Sequence, residues 1–155
     1  MTDLIAHIII PGKPRPARLK LSKKGRLYND QSAYMLTTKW HIRTQYIGRP
    51  YGGPIYIEYF FGFPIPDSWP AQKKMLAEQG KMLYPYRPDY DNLKKLYNDC
   101  LKKIVFQDDK QLTSGGKWVK QYSIRPRTEI WIYKDGPQEN PTKAQFERRS
   151  FQASP

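Results

Sequence analysis

A chain of 155 residues with 27 Lys and Arg against 14 Asp and Glu carries a net charge of +13, a length that supports one sizeable core rather than two and a field that selects polyanionic partners. Cys100 is the only cysteine and His7 and His41 the only histidines, which excludes an intramolecular disulfide and a four-ligand Cys/His zinc site. Aromatic residues make up 14% of the chain, unlike a charged disordered polymer, and no apolar run approaches the ~18 residues of a membrane span. A single soluble, cytoplasmic, nucleic-acid-facing globule is expected, with no membrane partner.

In chain order, LIAHIII at 4–10 is β-branched and stops at Pro11-Gly12, as a strand would. The Lys/Arg-rich stretch GKPRPARLKLSKKGR follows, and its prolines predict an extended, stiff arm suited to tracking a phosphate backbone through Lys13, Arg15, Arg18, Lys20, Lys23 and Lys24. Apolar spacing predicts a helix from Ser32 to about Tyr46, ended by Gly48. PIYIEYFFGFPIP alternates as a half-buried strand, and Ser68, Pro70 and Gly80 bracket a short helix over AQKKMLAEQ.

After the turn-rich YPYRPDYD, Leu93, Leu96, Tyr97, Cys100, Leu101 and Ile104 follow helical spacing over 91–104. The stretch from Val105 to about Tyr122 reads as a strand with an irregularity at Gly115-Gly116, and TEIWIY at 128–133 as its antiparallel partner. From Asp135 the sequence is polar and Pro-punctuated, so 135–155 is expected to be a flexible tail, with Arg148 and Arg149 as weak DNA contacts. The fold class is therefore α+β over 1–134: a small mixed or mostly antiparallel sheet with two or three packed helices. Cys100 and the four tryptophans are expected in the core.

Chemistry concentrates where the charge pattern inverts. Asp89, Asp91, Asp99, Asp108 and Asp109 place five of the 14 acids within 21 residues. With Asp91 as the expected cap of the helix and Asp89 just outside it, both carboxylates lie near its N-terminus. Lys95 and Asp99 follow at steps of four on the polar face. One of Asp108 and Asp109 is expected to complete the cluster after a tight reversal. Two carboxylates about 4 Å apart repel by roughly 4 kcal/mol at an effective dielectric of 20, and a divalent cation removes that penalty. Oxygen-only ligands suit Mg²⁺, with Mn²⁺ as the alternative. Such an ion and Lys95 together point to phosphodiester hydrolysis. Singly, each acid has a plain structural reading as a cap, a surface pair or a turn; their coincidence in a cationic chain is what favours a site.

Arg87-Pro88-Asp89-Tyr90-Asp91-Asn92-Leu93-Lys94-Lys95, then Asn98-Asp99, then Phe106-Gln107-Asp108-Asp109-Lys110-Gln111 resembles the signature of the RusA-type Holliday junction resolvases, phage- and prophage-encoded endodeoxyribonucleases. Gly12-Lys13-Pro14-Arg15-Pro16 is similar to that family's basic opening segment. The resemblance implies Asp89, Asp91 and Asp109 as metal-binding catalytic carboxylates and Lys95 as the essential lysine. It further implies supporting roles for Asn92, Asp99 and Asp108, DNA contacts that include Arg87, and a homodimer acting on four-way or branched DNA in a bacterial host. A second family lysine corresponds to Lys120, with Lys117 as the competing assignment. No protein partner is inferable.

Two other readings compete. Pro88-Asp89 with Asp108-Asp109-Lys110 satisfies a loose restriction-type P-D…D-x-K pattern, but that fold wants the first Asp at a strand edge and not at the head of an amphipathic helix. A non-catalytic basic DNA-binding module accounts for the charge and the aromatics and leaves the acids unexplained.

Overall fold

The computed structural model describes residues 3–29 and 31–136; the expected tail, with Arg148 and Arg149, lies outside the described residues from 137 onward. In chain order the elements are β1 (Leu4–Pro11), β2 (Leu19–Leu21), β3 (Leu27–Asn29), α1 (Ser32–Gln45), β4 (Ile55–Pro64), α2 (Ala71–Glu78), α3 (Tyr90–Leu101), a single 3₁₀ turn at Asp109–Gln111, β5 (Trp118–Ser123) and β6 (Arg127–Lys134). The main sheet has the order β1-β6-β4-β5, and β2 and β3 form a separate hairpin. This is the expected α+β class with a mixed sheet, since β4 and β5 run parallel and the other pairs antiparallel. No helix among the described residues is long and apolar enough to cross a membrane.

Strand β4 is the spine. It was expected to be half-buried, yet every residue from Ile55 to Phe63 is buried. Ile55, Ile57, Tyr59, Phe61 and Phe63 enter the main core. On the opposite face Tyr56 stacks on Tyr133 with ring centroids 5.0 Å apart, and the Arg127 guanidinium lies 4.4 Å from the Phe60 ring centroid. A strand apolar on both faces takes a central place, so β4 separates β5 from β6, and the expected antiparallel β5–β6 pair does not form. Residues 105–117 are not strand either. The Asp108 side chain accepts from Lys110 N–H, and the Gln111 side chain accepts from the N–H groups of Gln107 and Asp108. That local capping box offers the backbone a turn in place of a ladder.

Helix α3 buries Leu93, Leu96, Tyr97, Cys100 and Leu101, a full apolar stripe at i, i+3, i+4, i+7 and i+8. The Tyr97 ring packs against Tyr59 and Phe61 of β4, with centroids 6.5 and 6.0 Å away. Each such buried side chain contributes roughly 1.5–3 kcal/mol. The helix ends three residues before the expected limit because Leu101–Ile104 forms a turn in which Ile104 N–H donates to Leu101 C=O at 3.0 Å and Lys103 adopts φ 74°. Glycine is the usual residue at that position.

Cys100 is buried on this stripe as expected, and burial pushes its thiol up to about 12. At pH 8 about one molecule in 10,000 then carries the thiolate that reacts with alkylating agents. Native protein is therefore expected to take up no iodoacetamide label over the time in which guanidinium-unfolded protein is fully labelled; equal rates, read by mass spectrometry, would contradict the placement.

The tryptophans depart from expectation. Trp40 is 61% and Trp118 46% exposed, and Trp69 and Trp131 are only partly buried. On α1 the buried positions are Thr38 and Ile42, each two residues from Trp40, so Trp40 is carried about 200° around the helix. The basic stretch is likewise not one extended arm, because it contains the β2–β3 hairpin, turned at Ser22–Arg26 around Gly25 at φ 79°. At the outer edge of β1, the Gln45 side-chain amide both accepts from Ile9 N–H and donates to Ile9 C=O, each at 2.7 Å. At the other edge, Tyr84 N–H donates to Lys120 C=O and Tyr122 N–H to Met82 C=O, so the 82–84 segment lies along β5.

Candidate active site and nucleic-acid interface

The head of α3 gathers the first group of predicted residues. Asp89, and not Asp91, is the N-cap: its extended backbone (φ −76°, ψ 164°) ends the cis Arg87–Pro88 segment, and its Oδ1 accepts from Asn92 N–H at 3.1 Å. Asp91 sits in the first helical turn and is exposed. Both residues lie at the positive end of the helix dipole, a favourable place for acidic side chains. Asn92 contributes through its backbone, accepting from Ala17 N–H at 2.9 Å and thereby docking the basic segment onto α3. Arg15 N–H donates to the Tyr97 hydroxyl at 3.0 Å, and its guanidinium lies 4.8 Å from the Tyr34 ring centroid. Lys13, Arg15 and Arg18 then line a cleft of about 430 Å³ together with Gln31 and Pro88. The wall of this cationic cleft thus includes Pro88, the residue that precedes the capping carboxylate. Lys20, Lys23 and Lys24 are exposed on the adjoining hairpin, and Arg87 is exposed just before the cap.

Of the two candidate second lysines, Lys120 reaches this group. Its Nζ donates to Tyr86 C=O at 2.6 Å, and desolvation by burial lowers its pKa against the opposing pull of the Asp89 charge. Burial and the Asp89 charge thus act on this lysine in opposite senses. Lys117 is instead tied to β4 by its backbone, which donates to Glu58 Oε2 at 3.2 Å and accepts from Tyr59 N–H at 3.0 Å.

The remaining acids gather at the foot of the same helix. Lys95 Nζ is 3.8 Å from Asp99 Oδ2, a pair one turn apart on the exposed face. Asp109 Oδ2 accepts from Lys102 Nζ at 3.2 Å; that bond raises the lysine's pKa, with Asp99 and Asp108 adding to it. Asp108 is used as the cap of the 3₁₀ turn, and its hydrogen bond from Lys110 N–H lowers its pKa. A helix of 12 residues separates head from foot by about 18 Å. Asp109 is therefore not brought to Asp89 and Asp91 within one chain, contrary to the expected cluster, because the chain turns locally at 108–111 and does not run straight back along α3. Among the described residues no three His, Cys, Asp or Glu side chains are grouped to hold a metal ion. Lys102 was missed at the sequence level, although its place three residues after Asp99 marks it as a neighbour of that acid.

The head-of-helix pair still fits a hard cation. Mg²⁺ typically retains several waters and is bound through one or two carboxylates plus substrate phosphate. Asp89 and Asp91 are exposed oxygen donors, and a single Asp89 oxygen is taken by the capping bond.

Comparison with known proteins bears on this arrangement. A family model described as Endodeoxyribonuclease RusA matches residues 10–133, a span that includes the basic cleft, all of α3 and both acidic groups. The chain is also 34% identical over 82 residues to YqaN, an uncharacterized protein of Bacillus subtilis (strain 168), a match covering 52% of this chain and 57% of that protein. The chain thus spans about half the length of the curated relative it matches.

Proposed function

The chain belongs to the RusA endodeoxyribonuclease family, and from that premise we propose that it is a divalent-metal-dependent, structure-selective endodeoxyribonuclease that resolves four-way and other branched DNA by paired cuts, in recombination, repair or phage DNA processing. The observation that carries this reading is the charge inversion at α3, where exposed carboxylates sit at a helix head flanked by a basic cleft and by Lys120. Asp89 and Asp91 would hold Mg²⁺, or Mn²⁺ in its place. Such an ion, when bound, polarises a scissile phosphate and lowers the pKa of a water.

The chain's own residues supply the rest. Lys13, Arg15 and Arg18 hold the strand's phosphates in their cleft, which offsets the repulsion between the carboxylates and DNA. Lys120, partly desolvated beside Asp89, offers positive charge to the additional negative charge of the pentacovalent transition state. Lys95, exposed one turn beyond Asp91, is the second such donor. Asp109 enters through a homodimer. If a two-fold axis sets two α3 helices antiparallel, the head of one meets the foot of the other, so that Asp109 of the partner subunit joins Asp89 and Asp91. One dimer then carries two sites, as paired incision requires.

A cleavage gel tests the reading. Four-way DNA is expected to be cut with Mg²⁺ and left intact with EDTA, with linear duplex of the same sequence resistant in both; metal-independent cutting, or none, would overturn it. Exchanging Lys13 and Arg18 for Ala together is expected to weaken junction binding and to flatten the plot of log K against log salt by about 0.9 for each phosphate no longer neutralised. Anisotropy titrations across a salt series would show this, and an unchanged slope would remove the cleft from the DNA interface.

A further inference from the structure

Between α3 and the loop that leads into β5 lies a second cavity, of about 250 Å³, whose walls include Tyr59, Tyr90, Lys94, Asn98, Gly115 and Gly116. Its construction is specific. Asn98 is only 7% exposed, and its Oδ1 accepts from the Tyr59 hydroxyl, while its Nδ2 donates to no group among the described residues. The Asn98 amide therefore has donor capacity left to offer to whatever fills the cavity. The loop that closes the cavity is anchored, with the Thr113 and Ser114 hydroxyls donating to Asp135 Oδ2 at 2.8 and 2.7 Å. Gly116 packs so closely that a Cβ there would come within 2.3 Å of Ile57 O. One wall is aromatic: Tyr90 stacks on Trp118 with centroids 4.0 Å apart and planes 2° from parallel. Tyr90 directly precedes Asp91, so this wall adjoins the head of α3.

We propose that this cavity receives one extrahelical nucleobase from the branch point and so sets which sequence is cut. The inference rests on the nuclease reading above and adds a base-recognition site to it. An anion site would need converging cations, whereas the cavity offers a buried amide, a hydroxyl, backbone groups and a single lysine. That mixture of donors and acceptors beside aromatic rings is what the edge and face of a base require. Extruding a base costs a few kcal/mol, which contacts in the cavity must offset. Holding it next to Asp91 fixes the neighbouring phosphate at the head of α3.

The test places 2-aminopurine at successive nucleotides around the exchange point of a four-way junction and follows its fluorescence on binding full-length protein in Ca²⁺. One position is expected to brighten as its base leaves the stack. In Mg²⁺, changing the base at that position is expected to alter the cutting rate by roughly 5- to 150-fold, the range for one well-read base. Gly115→Leu adds a side chain where a Cβ meets nothing within 4 Å, so it fills the cavity without backbone strain. It is expected to abolish both the brightening and the base preference. Asn98→Ala, if it folds, is expected to retain the brightening and to reduce the preference. Binding and cutting by the wild type with no brightening at any position would overturn the base pocket and leave the nuclease reading standing. Brightening and preference that survive Gly115→Leu would do the same. A wild type that fails to bind the junction overturns both.

Discussion

Asp91→Asn is expected to reduce Mg²⁺-dependent cutting of a four-way junction by about 10³-fold or more while junction affinity stays within a few fold. The size follows from the role. An ion that stabilises transition-state charge contributes several kcal/mol, and each 1.36 kcal/mol is a factor of ten in rate. Asp91 is exposed in the first turn of α3 and supports no packing; its loss costs only a helix-dipole interaction of about 0.3–1 kcal/mol. The fold should therefore survive, and the basic cleft proposed to carry binding is untouched. Single-turnover rates set beside anisotropy binding separate the two quantities. A variant that cuts normally would dismiss the carboxylate from the site, and a variant that loses binding and cutting in equal measure would recast it as a structural group.

A second large effect is expected of mixed subunits. Asp91→Asn and Asp109→Asn proteins, each expected to be inactive alone, should regain cutting when combined. In a composite dimer one site of the mixed pair carries both substitutions and the other carries neither. Only one strand is then cut, so the product is a nicked junction and not two duplexes. With randomly exchanging subunits half of the dimers are mixed, and recovered nicking should rise from background by about 10² or more if each lone variant lies 10³-fold down. If Asp109 acted within its own chain, every dimer would lack an intact site and mixing would recover nothing. That outcome would sink the two-subunit arrangement while leaving the metal at Asp89 and Asp91 in place.

The two acidic groups also show what the sequence could and could not reveal. The strong period of Leu93, Leu96, Tyr97, Cys100 and Leu101 made α3 legible, because an apolar stripe needs no partner to be recognised. Helix α1 and strands β1 and β4 were legible for the same reason, as was the neighbourhood of Asp89 and Asp91, two residues apart at a helix start. Distance was lost where a short local motif governs the path. Asp108 and Gln111 form a box that turns the chain, and a D-D pair read as strand gave no sign of it. The parallel pairing of β5 with β4 was equally hidden, since adjacency of β5 and β6 in sequence favours a hairpin and only burial on both faces of β4 decides otherwise. The hydrogen bond from Lys120 Nζ to Tyr86 C=O was likewise hidden, since it depends on how β5 lies beside the 82–84 segment. Trp40 failed as a core residue because α1 turns Thr38 and Ile42 inward, with Tyr34 and Met35 packed against the same core, and Trp40 lies on the other side.

The Gln45 amide that grips both backbone groups of Ile9 leaves the rim of β1 little to offer a newcomer, and Pro11 beyond it has no N–H to give. With the opposite rim covered by the 82–84 segment, both borders offer fewer free backbone groups to a strand from a second molecule. In the proposed homodimer, two copies would then meet through side chains, for which the exposed charged face of α3 is the candidate. Such a contact, polar and salt-sensitive, would loosen as ionic strength rises, so self-association and grip on DNA should weaken together.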